Sequence, residues 1–281
     1  MSKTLLSIGH GYVARHLADT LRPLGWQVIG TSRRADGLRE IDTLGDTGLL
    51  WPGGDIDAAI AQASHVLVSV PPAGGSCPVA AALGEKIAQA GSDWVGYFST
   101  TGIYGDTDGG WVDEETSPDP TGPRGAARLA SERAWGALPL PLHVFRLPGI
   151  YGPGRSAVDK LRDGTARRIV KPGQVFSRIH VDDICAALRL SMARPMPGAV
   201  WNIADDEPAA HADVVAEAAR LLGIAPPPEE PLDTAGLSPM GRDFYSQSRR
   251  VSNAKAKADL GWAPAYPDYR AGLRAIIASG A

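Results

Sequence analysis

The chain has 281 residues, 44% of them hydrophobic, and a formal net charge of −3. That length fits one large domain or two small ones with apolar residues enough for a real core, and the charge excludes a global field drawing the chain to nucleic acid or to a membrane. Two cysteines, Cys77 and Cys185, exclude a disulfide framework and lack metal-ligand spacing.

In chain order, short apolar runs alternate with helix-like segments over the first 150 residues. TLLSI (4–8) predicts a strand and GYVARHLADTL (11–21) a helix closed by Pro23 and Gly25. WQVIGTS (26–32) predicts a second strand. DIDAAIAQA predicts a helix, HVLVSV (65–70) a strand stopped by Pro71 and Pro72, CPVAAALGEKIAQA a helix and WVGYFST (94–100) a strand. TGPRGAARLASERAW (121–135) starts a helix at Pro123, and LHVFRLP (142–148) follows as a strand. This rhythm predicts an α/β fold, a doubly wound parallel sheet of Rossmann type. The strands are apolar throughout, as strands covered on both faces are.

After residue 150 Gly, Pro and Arg cluster through 152–173, VDDICAALRLSMA and AVWNIAD add a helix and a strand, and APPPEEP (225–231) breaks a helix-rich tail. The expected division is a first domain over 1–150, with 180–204 rejoining its sheet, and a smaller C-terminal substrate lobe from 151–179 and 205–281. No run approaches the roughly 20 apolar residues of a membrane span. MSKTLLSIGHG lacks the apolar stretch of a signal peptide, so a cytoplasmic location with reduced thiols is expected.

Between the first strand and helix, Gly9, Gly11 and Ala14 form G-x-G-x-x-A. Gly9 permits the tight turn, Gly11 lets the backbone approach a pyrophosphate, and Ala14 allows close helix–strand packing at a helix N-terminus that faces phosphates. In this βαβ context the pattern predicts a dinucleotide site from Gly9, His10, Gly11, Tyr12, Val13 and Ala14, with His10 filling space rather than doing chemistry. An NAD site ends its second strand in an acidic residue. This strand ends in Thr31, Ser32, Arg33 and Arg34, whose hydroxyls and guanidinia suit a 2′-phosphate, so NADP(H) is expected over NAD(H). The loop SVPPAGG (69–75), with Val70, Pro71 and Pro72, is expected to border the cofactor, together with Pro148.

The glycine turn, FSTTGIYGD (98–106), DEETSPDPTG (113–122), FRLPGIYGPGR (145–155), RIHVDDI (178–184) and LGWAP (260–264) together resemble the short-chain dehydrogenase/reductase superfamily, in its extended branch of NAD-dependent epimerases and dehydratases. The match in order and spacing runs over nearly the whole chain. It implies that Thr100, with Thr101 beside it, orients a substrate carbonyl or hydroxyl, and that the next helix carries Tyr-x-x-x-Lys with the tyrosine as acid/base. Here Arg124-Gly-Ala-Ala-Arg128 stands in those places, and none of the seven tyrosines has a lysine four residues on. Arginine stays protonated near neutral pH, so the standard proton relay is absent, as in the superfamily's atypical members.

Arg124 and Arg128 lie four apart on one helix face and read as anchors for anionic groups or a developing oxyanion. The plainer alternative is a solvated face on which Glu132 pairs with Arg128. Tyr104 is a candidate proton donor, though its place in IYG is more often packing. Asp106, Asp113 and Glu114 read as turn or cap residues, and Asp182 and Asp183 as caps of the following helix.

Two functions stay open: an NADP-dependent oxidoreductase or epimerase acting on a small anionic or sugar-like ligand in a cleft between the lobes, or a non-catalytic NADP(H)-binding redox sensor or interaction module, as in NmrA-like members. The resemblance places Arg178 and Arg250, with Arg249, where the extended branch holds the phosphates of nucleotide-sugar substrates, and Arg155 and Lys171 add charge to the expected substrate site. The six histidines are dispersed, so no metal is expected, and no nucleophile elbow marks a hydrolase. The expected partner is a small-molecule ligand, with neither nucleic acid nor membrane; a homodimer is compatible with this reading.

Overall fold

The computed structural model describes residues 3–280. The first elements are β1 (Thr4–Ile8), α1 (Tyr12–Leu21), β2 (Gln27–Ser32), α2 (Ala35–Thr43), β3 (Thr47–Leu50), α3 (Ile56–Gln62), β4 (His65–Val68), α4 (Pro78–Ala90) and β5 (Trp94–Thr100). Next come β6 (Trp111–Val112), α5 (Pro123–Gly136), β7 (Leu142–Leu147), β8 (Gly149–Tyr151), α6 (Ala157–Arg162), β9 (Arg168–Val170), β10 (Arg178–His180) and α7 (Val181–Ala193). The chain ends with β11 (Val200–Asn202), α8 (His211–Leu222), β12 (Glu229–Pro231), α9 (Pro239–Tyr245), β13 (Arg250–Val251), α10 (Ala254–Leu260) and α11 (Tyr269–Ala278). Among the described residues no helix is long and apolar enough to cross a membrane.

Seven strands form the central sheet in the order β11-β7-β5-β4-β1-β2-β3. β1 pairs in parallel with β2 and β4, as β2 does with β3 and β4 with β5. This is the doubly wound architecture expected, and its order reverses between β1 and β4. α2 and β3 carried no clear signal. α2 is ADGLREIDT, polar on most faces, and β3 is a half-exposed edge strand, TGLL, so neither shows the apolar run that marked the central strands.

The chain divides into two compact units, one of residues 1–100, 123–146 and 185–201, the other of 101–122, 147–184 and 202–281. Residues 101–122 therefore belong with the second unit, where the sequence had placed them with the first. The short 3₁₀ turn at Thr101–Tyr104 and the two-residue β6, paired to β13, carry them there.

In the first unit β1 and β4 are wholly buried, and Leu6, Ile8, Val66, Val68, Val95, Tyr97 and Trp135 share one core cluster. At the N-terminal ends of the strands aromatic rings line up across the sheet. His143 lies stacked between Trp94 at 5.6 Å and Trp201 at 6.0 Å. Burial pushes the His143 imidazole down to about 4, so it is neutral at pH 7, and Met196 N–H donates to its Nε2 at 2.8 Å. That end of the sheet is closed by packing, which leaves the C-terminal ends of the strands for a site.

In the second unit β8 pairs in parallel with β10 and β9 with β12. Val158, Val215, Ala218, Leu273 and Ile276 from α6, α8 and α11 pack together in its core.

Glu132 does not pair with Arg128. Its carboxylate takes a forked pair of bonds from Arg146 on β7, Nε at 3.2 Å and Nη2 at 2.9 Å, with both side chains about nine-tenths buried. Removing one partner strands the other charge in the interior. Arg146→Ala is expected to cost about 3–5 kcal/mol in chemical denaturation followed by circular dichroism; a loss under about 1 kcal/mol would place the pair among weak surface contacts.

Candidate functional site

The glycine turn stands at the C-terminal end of β1, beside the reversal in strand order. Gly9 has φ +88°, and a Cβ there would lie 2.8 Å from Val70 Cγ2 and 3.0 Å from Ser69 Oγ. The Ser69 hydroxyl donates to the Gly9 carbonyl. The turn is wedged against the end of β4, where only glycine fits. Gly9 N–H donates to Thr31 Oγ1 at 2.8 Å and His10 N–H to Thr31 O at 3.1 Å.

α1 follows with Gly11 as its N-cap and no capping side chain. No N-cap side chain covers that helix end, as fits an acceptor supplied from outside. A Cβ on Gly11 would meet nothing nearer than Gly9 O at 3.9 Å, so the space over the helix end is open. Val13 and Ala14 are buried beneath it, and Tyr12 packs on His16 with ring centroids 4.4 Å apart. Open backbone donors above a small-residue turn fit the pyrophosphate of a dinucleotide.

Two residues assigned to cofactor binding face elsewhere. The Thr31 hydroxyl is 4% exposed and engaged by Gly9 N–H, so it fixes the turn and offers nothing to a 2′-phosphate. The His10 ring is fully buried, with Nε2 3.4 Å from Asp46 Oδ2. Arg22 Nη1 binds both Asp46 oxygens at 3.0 Å. The ring occupies the room that a side chain at Gly30 would need, 2.6 Å from the ideal Cβ position.

Ser32 Oγ closes a local turn, donating to Arg34 O at 3.1 Å and accepting from Arg34 N–H at 3.2 Å. Arg33 and Arg34 are exposed, with no ion pair among the described residues. Asp36, the acid in the first turn of α2, is paired with Arg39. The end of β2 therefore carries two unengaged guanidinia and no unpaired carboxylate. Val70 is half-buried, Pro71 exposed and Pro72 half-buried, in a loop closed by two bonds between Ala73 and Ser76.

The two arginines of α5 differ. Arg128 Nη1 donates to Phe98 O at 2.7 Å and to Tyr97 Oη at 3.4 Å, and its guanidinium lies over the Tyr97 ring. It fastens α5 to the main chain of β5. Burial pushes the Tyr97 hydroxyl up, with Arg128 pulling the other way. Arg124, one turn earlier, is exposed. Thr100 ends β5, half-buried.

Thr101 and Tyr104 belong to the second unit. Thr101 is buried in the 3₁₀ turn. Tyr104 is 2% exposed and donates to Asn202 Oδ1 at 2.9 Å, a packing role that corrects its candidacy as proton donor. Asp106 accepts from Ser248 N–H, Asp113 from Thr116, and Glu114 from Asn202 N–H at 2.6 Å. Asp183 caps no helix; it accepts from Ala265 and Tyr266 N–H at 2.6 and 3.1 Å, and burial raises it to about 6.

The phosphate-holding roles implied for Arg178 and Arg250 are also corrected. Arg178 is 8% exposed and donates to Phe176 O at 3.1 Å and Ala209 O at 3.0 Å. Arg250 and Arg249 donate to Gly109 O and Gly105 O, and Lys171 Nζ to Tyr245 O at 2.7 Å. These cations brace loops. Arg155 is exposed on a turn closed by backbone bonds to Gly152, and Pro148 is half-buried between β7 and β8.

The sequence reading missed Asp205. It is 1% exposed, with both carboxylate oxygens buried. Burial pushes it up to about 8, with Arg178 the main opposing influence. The only signal was an acid directly after the strand-like AVWNIA. Among the described residues no group of His, Cys, Asp and Glu is arranged to hold a metal.

Residues 8–204 match the model of the NAD dependent epimerase/dehydratase family. A solved structure described as a functionally unknown conserved protein from Silicibacter pomeroyi DSS is 52% identical, covers 99% of each chain and superposes with a TM-score of 0.94. Protein YeeZ of Escherichia coli (strain K12) is 27% identical over 95% of this chain and 97% of its own. MoeE5, solved in complex with UDP-glucose and NAD, is 23% identical over 98% and 97% of the two chains with a TM-score of 0.76, a likeness of fold.

Gly9→Ala must meet both a left-handed backbone and a filled space, whereas Gly25, with φ +76°, has nothing within 4 Å of its Cβ position. Gly9→Ala is expected to lower stability by about 1–3 kcal/mol and more than Gly25→Ala; equal losses in urea unfolding would remove the steric argument. Asp205 binds its proton more tightly folded than unfolded. Its stabilising contribution is thus full below the ordinary carboxylate range and is lost as pH rises through about 8. Wild-type Tm is expected to fall more than that of Asp205→Asn between pH 6 and 9, and parallel curves would contradict the assignment.

Proposed function

Since the chain belongs to the NAD dependent epimerase/dehydratase family, we propose that its glycine turn binds a nicotinamide dinucleotide, NADP(H) in preference to NAD(H), and that it serves as an oxidoreductase or epimerase for a small ligand. The observation that carries the dinucleotide is the uncapped N-terminus of α1 above Gly9, whose position admits no side chain. The NAD bound by MoeE5 supports the same class of cofactor. The preference for the 2′-phosphate rests on Arg33 and Arg34, both exposed and without an ion pair among the described residues. Guanidinium forks match phosphate oxygens, and nearby carboxylates would repel them.

Bound there, a nicotinamide supplies hydride transfer. The chain's own residues bind and orient. The α1 N–H groups take the pyrophosphate, and the Gly9–Thr31 bond holds the turn in register. Arg128 braces Phe98, two residues before Thr100. Arg124, exposed and cationic in the first turn of that helix, is able to draw an anionic group. Neither arginine passes a proton at neutral pH. A second reading, a dinucleotide-binding module without turnover, is favoured by that same fastening of Arg128, which leaves the helix position a structural use.

Calorimetric titration of the purified protein with NADPH and NADH tests the proposal. NADPH is expected to bind at least tenfold tighter, about 1.4 kcal/mol. Arg33→Ala is expected to erase most of that difference while leaving NADH within about twofold. Equal losses for both dinucleotides would remove the 2′-phosphate assignment, and binding of neither would remove the enzyme reading.

A further inference from the structure

A small cavity of about 100 Å³ lies within the second unit, bordered by Arg168, Lys171, Gln174, Glu229, Tyr245 and the first turn of α8. α8 runs for 12 residues from His211, and its N-cap, Ala210, supplies no capping side chain. The leading N–H groups of that helix therefore open toward the cavity without an internal acceptor.

Gln174, only 4% exposed, lines the same cavity. Its Nε2 donates to Gln247 O, which leaves Oε1 buried and without a partner among the described residues. Arg168 adds a buried Nε with no partner among them, while its Nη2 holds Glu229 at 3.0 Å. Two short restraints bring these groups together. Phe176 and Ala209 exchange both backbone bonds at 3.1 Å, and Arg178 reaches Ala209 O. That clamp sets the 171–176 loop against the start of α8.

The donor and acceptor pattern is specific. Helix N–H groups, Arg168 Nε and the Lys171 ammonium call for an oxyanion. Gln174 Oε1, in a cavity that Asp213 and Glu229 also line, calls for an O–H donor on that ligand. Burial pushes His211 down to about 4, so at neutral pH its imidazole adds no charge. The volume corresponds to about three water molecules, room for one oxyanion headgroup and not for a nucleotide.

We propose that this cavity is a binding site for a small oxyanion that also carries a hydroxyl, either hydrogen phosphate or a short hydroxy acid. The dinucleotide reading plays no part in this assignment, since every group involved lies in the second unit and binding is measured without dinucleotide.

Two matched pairs of probes test it, each differing by one O–H: phosphate against sulfate, and glycolate against acetate. A site with a buried acceptor rejects the partner lacking the hydroxyl. In calorimetry on the full chain at pH 7, at least one hydroxylated probe is expected to bind about tenfold or more tighter than its match. The pair that discriminates identifies the headgroup. Gln174→Leu is expected to bring the two members of that pair within about twofold, whereas Arg220→Ala, on the far turn of α8, leaves both unchanged. Arsenate, which keeps an O–H and scatters anomalously, is expected between Arg168 and Gln174 in a soaked wild-type crystal, a result that needs no variant. No saturable binding below roughly 10 mM, no discrimination within either pair, discrimination retained in Gln174→Leu, or arsenate located elsewhere would each overturn the proposal.

Discussion

The bond from Gly9 N–H to Thr31 Oγ1, 2.8 Å long, ties the end of β1 to the end of β2 while Ser69 holds the Gly9 carbonyl from the end of β4. Three adjacent strands are thereby fixed at one point, and the main-chain direction into α1 follows. Thr31 must be buried to make that bond, and two residues later the chain emerges into solvent at Arg33. His10 must then point inward, and Gly30 leaves the space that its ring fills. The start of α1 and the exposed guanidinia thus descend from one turn geometry.

Several arginines of this chain work as internal fasteners. Arg128 holds Phe98 O, Arg178 holds Phe176 O and Ala209 O, and Arg249 and Arg250 hold loop carbonyls. A guanidinium offers five donors in a rigid fork, so one side chain can satisfy several main-chain oxygens that a loop leaves open. Sequence spacing places such an arginine on a face or at a strand end, and it cannot separate a carbonyl brace from a phosphate anchor. That is why spacing alone read Arg178 and Arg250 as phosphate holders where the structure shows carbonyl braces.

The legible parts were those whose physics is local. Uninterrupted apolar runs announced β1, β4, β5 and β7, and proline with glycine marked the ends of helices. The doubly wound sheet followed from alternation alone. The half-exposed edge strand β3 and the polar α2 carry no such run. Residues 101–122 follow the last residue of a sheet strand, and only long-range pairing of β6 with β13 shows where they belong. Glu132 met Arg146 across 14 residues instead of Arg128 at four, because a buried carboxylate takes the partner whose fork can reach both of its oxygens.

The way the first unit would hold a dinucleotide explains how the chain keeps the fold of its family with arginines where a tyrosine and a lysine are expected. Pyrophosphate recognition there would rest on backbone N–H groups, a helix dipole and the absence of side chains at Gly9 and Gly11. None of these depends on α5. Residues 124 and 128 can change without touching the turn, and Arg128 has its use against the carbonyl of Phe98. A fold whose cofactor geometry resides in the main chain can change its side-chain chemistry one helix at a time. The constraint that remains is steric, at Gly9, and it acts on the turn whether or not turnover survives.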